Sequence, residues 1–109
     1  MRDSLQSRKC ARKLKCLADP ERLRIIQCLR KGPKNVTEIA DELQISLVNA
    51  SHHLGVLRQA EIVIDERQGR FIVYRLDPRV YQPEEPGEEN DHLDLGCCRL
   101  EIPREGAKA

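Results

Sequence analysis

The spacing of apolar residues changes once along this chain, and that change narrows the folds open to it. Up to residue 57 the apolar residues recur at helical spacing. After it come two short β-branched and aromatic runs, 62–64 and 71–74, on either side of a polar stretch, 65–70, with Gly69 at its tip. The first pattern predicts amphipathic helices and the second a β-hairpin.

The helix starts are marked locally. Asp19-Pro20-Glu21 is a compact start signal: Asp19 can accept from orphan N–H groups, Pro20 sits where its missing N–H costs nothing, and Glu21 complements the helix dipole. Leu23, Ile25, Ile26 and Leu29 supply an apolar stripe, and Lys31-Gly32-Pro33 ends it. Residues 3–18 read as an earlier, strongly basic helix with Leu5, Leu14 and Leu17 inward. Asn35-Val36-Thr37-Glu38 has the form of a capping box. It predicts a third helix with Val36, Ile39, Ala40 and Leu43 buried. Ser46 reads as the N-cap of a fourth helix, with Ala50, Leu54 and Leu57 at i, i+4 and i+7.

Two helices separated by a short turn have the spacing of a helix-turn-helix. With the hairpin behind them, the expected fold is mainly α with a β-hairpin, a winged helix-turn-helix. Only 3% of the residues are aromatic and none is Trp, so the core must come from Leu, Ile, Val and Ala. That suits a helical domain, and 109 residues suffice for one core.

Charge is placed unevenly. Residues 1–31 carry ten Lys/Arg against Asp3, Asp19 and Glu21, a balance of +7; residues 32–76 sum to −1 and 77–109 to −5. A basic front with an acidic end suits a polyanion-binding body, although solvated faces produce the same asymmetry. A helix-turn-helix leads into the major groove with the N-terminal residues of its second helix. Here these include Ser46, Asn49, Ser51, His52 and His53. Asn can pair with adenine, Ser donates or accepts, and His can reach guanine N7 or a phosphate. The hairpin tip offers Arg67, Gln68 and Arg70 for phosphates or the minor groove. Arg58 suits a phosphate or a solvated helix face, and His53 could equally pack beside Leu54.

Several segments together resemble the ArsR/SmtB winged-helix repressors. They are 17–26 (LADPERLRII), 36–40 (VTEIA), 51–58 (SHHLGVLR) and 69–76 (GRFIVYRL), in the right order within residues 12–76. The resemblance implies a homodimer, binding to double-stranded operator DNA through paired recognition helices, and release of DNA when an inducer binds. It also implies that the first helix packs at the dimer interface.

The usual sensor positions of that family are empty here. Members that sense soft metals often carry cysteines at the start of the third helix, where this chain has Asn35-Val36-Thr37. Others use carboxylates and histidines on a C-terminal helix. The corresponding stretch, 82–89 (QPEEPGEE), is acidic and broken by Pro and Gly, and reads as a mobile, non-helical linker. The expected organisation is therefore a DNA-binding and dimerisation domain over 1–81 and an acidic tail over 82–109. His92 between Asp91 and Asp94 is a sparse ligand set.

The chain has five cysteines: Cys10, Cys16, Cys28, Cys97 and Cys98. An odd count argues against a disulfide framework. Cys28 lies on the apolar helix and reads as core. Cys97 and Cys98 present adjacent sulfurs, and soft ions such as As(III), Cd(II) or Pb(II) favour thiolates. Trigonal arsenite needs three sulfurs, so Cys10 or Cys16 is the candidate third ligand. Those two cannot easily pair, because six residues of helix separate them by about 9 Å of rise and roughly 240° of rotation. Some arsenic-responsive relatives likewise carry adjacent cysteines in the tail. Redox sensing is the alternative, opposed by the acidic neighbours Asp91 and Asp94.

Other functions find little support. There is no Cys-x-x-Cys, no glycine-rich phosphate loop and no paired carboxylates between apolar walls, so the expectation is no enzyme and no organic cofactor. No apolar run approaches the roughly 20 residues that span a bilayer, and no apolar stretch follows the N-terminal charges. A cytoplasmic protein without a membrane partner is expected. The main rival is a constitutive winged-helix binding module without an inducer.

Overall fold

The computed structural model describes residues 4–103, with side chains from residue 7 onward. The elements run α1 (Ser4–Leu17), α2 (Pro20–Leu29), β1 (Lys34–Asn35), α3 (Val36–Leu43), α4 (Leu47–Gln59), β2 (Val63–Gln68), β3 (Phe71–Leu76), β4 (Tyr81–Gln82), β5 (Asp91–Asp94) and β6 (Arg99–Ile102).

The local start signals act as the residues dictate. The Asp19 carboxylate accepts from the Glu21 and Arg22 amides at 2.9 and 3.1 Å, with Pro20 opening α2. Asn35 and Glu38 close the capping box of α3, each side chain accepting from the other's amide at 2.8 and 2.9 Å. Ser46 Oγ accepts from the Asn49 amide at 3.0 Å at the start of α4. Between α3 and α4 the chain turns through Gln44, which adopts a left-handed φ of 56°. The Ile45 amide then returns to the Ala40 carbonyl at 3.0 Å.

The hairpin is longer and its turn tighter than the sequence predicts. β2 pairs with β3 from Val63↔Leu76 to Gln68↔Phe71, leaving only Gly69 and Arg70 to turn the chain. Gly69 has a φ of +62°, which a tight hairpin turn requires and glycine adopts without steric cost. β1 adds to the other edge of β3, giving a sheet of order β1-β3-β2.

The region beyond residue 81 departs most from expectation. The acidic stretch is indeed not helical. However, it does not hold a separate tail away from the body. β4, β5 and β6 form a second antiparallel sheet, with Tyr81↔Leu93 and Leu93↔Leu100 in register. Leu93, Leu95 and Ile102 belong to the same buried cluster as Ile25, Ile26, Ile39, Leu54 and Leu57. The sheet is fastened by Asp91, a buried carboxylate on β5. It pairs with Arg30 at the end of α2, accepts from the Tyr81 hydroxyl at 2.6 Å and from the Glu84 amide at 2.8 Å. Burial alone would raise the Asp91 pKa, but these three donors outweigh it and hold the group below its usual range.

Two expected core positions need revision. Leu23 and Leu14 remain 40% and 44% exposed. Leu23 instead borders a 220 Å³ apolar hollow with Ile26, Leu93, Leu100 and Ile102. Leu5 lies outside the residues whose side chains are described. Among the described residues no helix is long and apolar enough to cross a membrane.

Candidate nucleic-acid interface and thiol cluster

The inward face of α4 is fixed by Ala50, Leu54 and Leu57, all fully buried. At 100° per residue this turns His52 outward and Asn49 and Ser51 to the two flanks. All three are exposed, as is Ser46 at the cap. On its leading half the exposed surface of α4 therefore carries these short hydrogen-bonding side chains together with the apolar Leu47 and Val48.

His53 departs from the groove-contact reading. It is only 8% exposed, and both ring nitrogens are occupied. Nδ1 lies 3.1 Å from an Arg22 guanidinium nitrogen and Nε2 lies 2.9 Å from a Glu21 carboxylate oxygen. A guanidinium only donates, so Nδ1 accepts and Nε2 carries the proton given to Glu21. His53 thus pins α4 to the first turn of α2 and has no group left for a base. Arg22 also donates from Nε to the Cys16 carbonyl at the end of α1, so this one side chain joins three helices.

On the wing, Arg67, Gln68 and Arg70 are exposed at and beside the turn. Gln68 makes a long contact with Glu66 at 3.4 Å. Arg58, near the end of α4, faces Asp65 on β2 at 3.9 Å with half its surface exposed. An exposed pair of that length contributes little, and the guanidinium keeps most of its donors for other partners.

The thiols fall into two groups. The sulfurs of Cys10, Cys97 and Cys98 lie within 4.8 Å of one another, Cys10 buried and the other two exposed. The Cys10 and Cys97 sulfurs are in contact with Cα atoms 6.1 Å apart, and the Cys97 and Cys98 sulfurs are 3.8 Å apart. Cys97 and Cys98 sit at the tip of the β5–β6 hairpin. Its turn is built by Gly96, at a φ of +91°, and by the Asp94 carboxylate, which accepts from the Gly96 amide at 2.9 Å.

The third sulfur is therefore Cys10, contributed within the same chain, and not Cys16. Cys16 is buried with its thiol 3.9 Å from the Val56 carbonyl on α4, and burial raises its pKa despite nearby Arg22. Cys28 is core, as expected, and burial together with the Glu42 carboxylate pushes it up to about 11. Burial disfavours the thiolate of both, the form that binds metal ions. Among the described residues His92 joins no ligand group, and its Nδ1 lies 2.9 Å from an Arg99 guanidinium nitrogen. No local pattern signals the Glu21–His53–Arg22 contact, whose members stand 31 and 32 residues apart.

Comparison with known proteins agrees with this geometry. A family model described as a helix-turn-helix domain matches residues 17–66. The HTH-type transcriptional regulator NmtR of Mycobacterium tuberculosis is 41% identical over 96 residues, covering 86% of this chain and 80% of that protein. The arsenic resistance transcriptional regulator ArsR1 of Pseudomonas putida is 42% identical over 69 residues, 62% of this chain and 54% of its own. Among solved structures, the homodimeric winged helix-turn-helix DNA-binding domain of Mb0332 from Mycobacterium bovis, a possible ArsR-family regulator, superposes with a TM-score of 0.69. It is 31% identical and covers 72% of each chain. The helix-turn-helix, its wing and these relatives together lead to one conclusion: the chain belongs to the ArsR/SmtB family of winged helix-turn-helix transcriptional repressors.

Proposed function

We propose that two copies of this chain repress transcription by holding double-stranded operator DNA, and release it when a thiophilic ion, As(III) foremost, is held by Cys10, Cys97 and Cys98. The observation that carries this reading is the convergence of three sulfurs from two elements, α1 and the β5–β6 hairpin. Three thiols match the donor set that trigonal arsenite takes, and soft ions prefer sulfur over the surrounding carboxylates. On DNA, Asn49, Ser51 and His52 face the base edges, with Ser46 at the helix cap. Arg58, Arg67, Gln68 and Arg70 meet the backbone or the minor groove.

Release follows from linkage. Fastening Cys10 to the hairpin tip fixes α1 against the second sheet. α1 touches Arg22 through the Cys16 carbonyl, and Arg22 holds His53 on α4. A ligand that favours the arrangement in which the paired recognition helices lose their spacing of about one DNA turn must weaken DNA binding by the same factor.

The test is operator binding by fluorescence anisotropy, with and without arsenite, for the parent chain and for Cys97→Ser and Cys98→Ser. Both variants should bind DNA as the parent does and fail to release it. Release that survives in both variants refutes the thiol site. Truncation after Leu76 is a poor probe, because it removes Leu93, Leu95 and Ile102 from the core.

A second reading is favoured by the Cα separation of 6.1 Å between Cys10 and Cys97, which lies in the range of disulfides. In this reading hydrogen peroxide takes two electrons from the two thiols, forming the S–S bond and two waters. Cys98→Ser separates the two readings: it should abolish release by arsenite and leave release by peroxide intact.

A further inference from the structure

One residue on the outer face of α4 is unlike its neighbours. Val48 is 77% exposed, more than Leu47 at 52%, Phe71 at 53% or Ile72 at 44%. It stands two residues before fully buried Ala50, about 160° round the helix from the inward stripe. His52, one turn further on, continues the same outward stripe and is exposed. Val48 therefore sits in the first turn of α4, pointing away from the protein.

Nothing within the fold accounts for it there. A valine left in water contributes no burial, and a β-branched side chain lowers helix propensity. With exposed Leu47 beside it and the polar Ser46, Asn49, Ser51 and His52 around the two, it forms no broad apolar patch of the kind a protein partner covers. It stands among the N-terminal residues of the second helix, which a helix-turn-helix presents to base edges in the major groove. The thymine C5-methyl is the apolar group that base edges present there.

We propose that Val48 is a specificity-determining residue that packs on a thymine methyl in each operator half-site. The proposal rests on α4 being the recognition helix. It adds an apolar contact that selects thymine at one symmetric position, beside the hydrogen bonds from Asn49, Ser51 and His52.

The experiment begins with selection of bound duplexes from a random library by the full-length protein. Each thymine of the selected operator is then replaced in both half-sites by deoxyuridine, which removes the methyl alone. Affinities are read by fluorescence anisotropy for the parent and for Val48→Ala. The parent should lose about fourfold per half-site at one symmetric thymine, the effect of withdrawing one buried methyl. Val48→Ala should lose less than twofold at that position while keeping the parent's thermal melting, since the side chain is exposed. A flat deoxyuridine series with the parent, or an unchanged series in Val48→Ala, overturns the assignment and leaves α4 as the recognition helix. A selected pool without a consensus overturns the recognition-helix reading, and the Val48 contact with it.

Discussion

The Arg22 guanidinium donates to Nδ1 of His53 at 3.1 Å, fastening the first turn of α2 to the inner side of the recognition helix. Because Arg22 also holds the Cys16 carbonyl, the end of α1 and the orientation of α4 share one side chain. Replacing Arg22 by Ala strips a buried imidazole nitrogen and a backbone carbonyl of their partner. The expected cost is about 1–3 kcal/mol of stability, read as a lower urea midpoint. The same variant should bind operator more weakly and show a smaller ratio of affinities without and with arsenite. A full ratio in Arg22→Ala excludes Arg22 from the coupling.

Asp91 predicts a separable loss. Asp91→Ala leaves the half-buried Arg30 without its carboxylate, and breaking such a pair costs up to about 3 kcal/mol. Because Asp91 holds the sheet that carries Cys97 and Cys98, arsenite release should weaken, while a chain still folded at low temperature keeps its operator affinity. Urea unfolding and anisotropy at the same temperature check both halves.

The same carboxylate, with Asp77, sets an acid limit. The Arg79 guanidinium and amide hold Asp77 below the usual carboxylate range, as the donors around Asp91 do there. A depressed folded pKa means that the unfolded chain binds protons first as pH falls. The stabilisation is whole above the unfolded value of about 4 and is lost as pH drops through the folded values. The urea midpoint should therefore fall below about pH 4 in the parent, and more shallowly in Asp91→Asn.

Gly55 is a mid-helix glycine whose added Cβ meets nothing within 4 Å. Gly55→Ala should raise stability by about 0.5–1 kcal/mol through helix propensity, seen as a higher melting temperature. An unchanged or lower melting temperature contradicts the open space around that position.

The wing arginines predict a salt effect. If Arg67 and Arg70 each meet one phosphate per protomer, removing either lowers the slope of log affinity against log salt by about 2 per dimer. Anisotropy titrations across a salt series measure it. A slope equal to the parent's places that arginine off the DNA backbone.

Features with local causes can be read directly from the residues. Asp19 and Pro20, Asn35 and Glu38, and Ser46 each fix a helix start through contacts two or three residues away, so all three starts were legible. So were the inward stripe of α4 and the hairpin behind it, because periodicity reports which side of an element can be buried. The length of the wing strands was not, since Asp65–Gln68 pair through their backbones while their side chains look like loop.

Features that depend on distant partners emerge only when the elements pack together. The alternation of Asp91, Leu93 and Leu95 is a strand signal that begins with an acid, and only Arg30, 61 residues earlier, makes that acid a buried anchor. His53 joined the core because Glu21 and Arg22 occupy both its nitrogens, a fact absent from its own neighbourhood in sequence. The adjacent sulfurs of Cys97 and Cys98 were plain from the start. That Cys10 and not Cys16 completes the cluster was settled by the docking of the second sheet, which brings the hairpin tip to one face of α1 and leaves Cys16 facing α4.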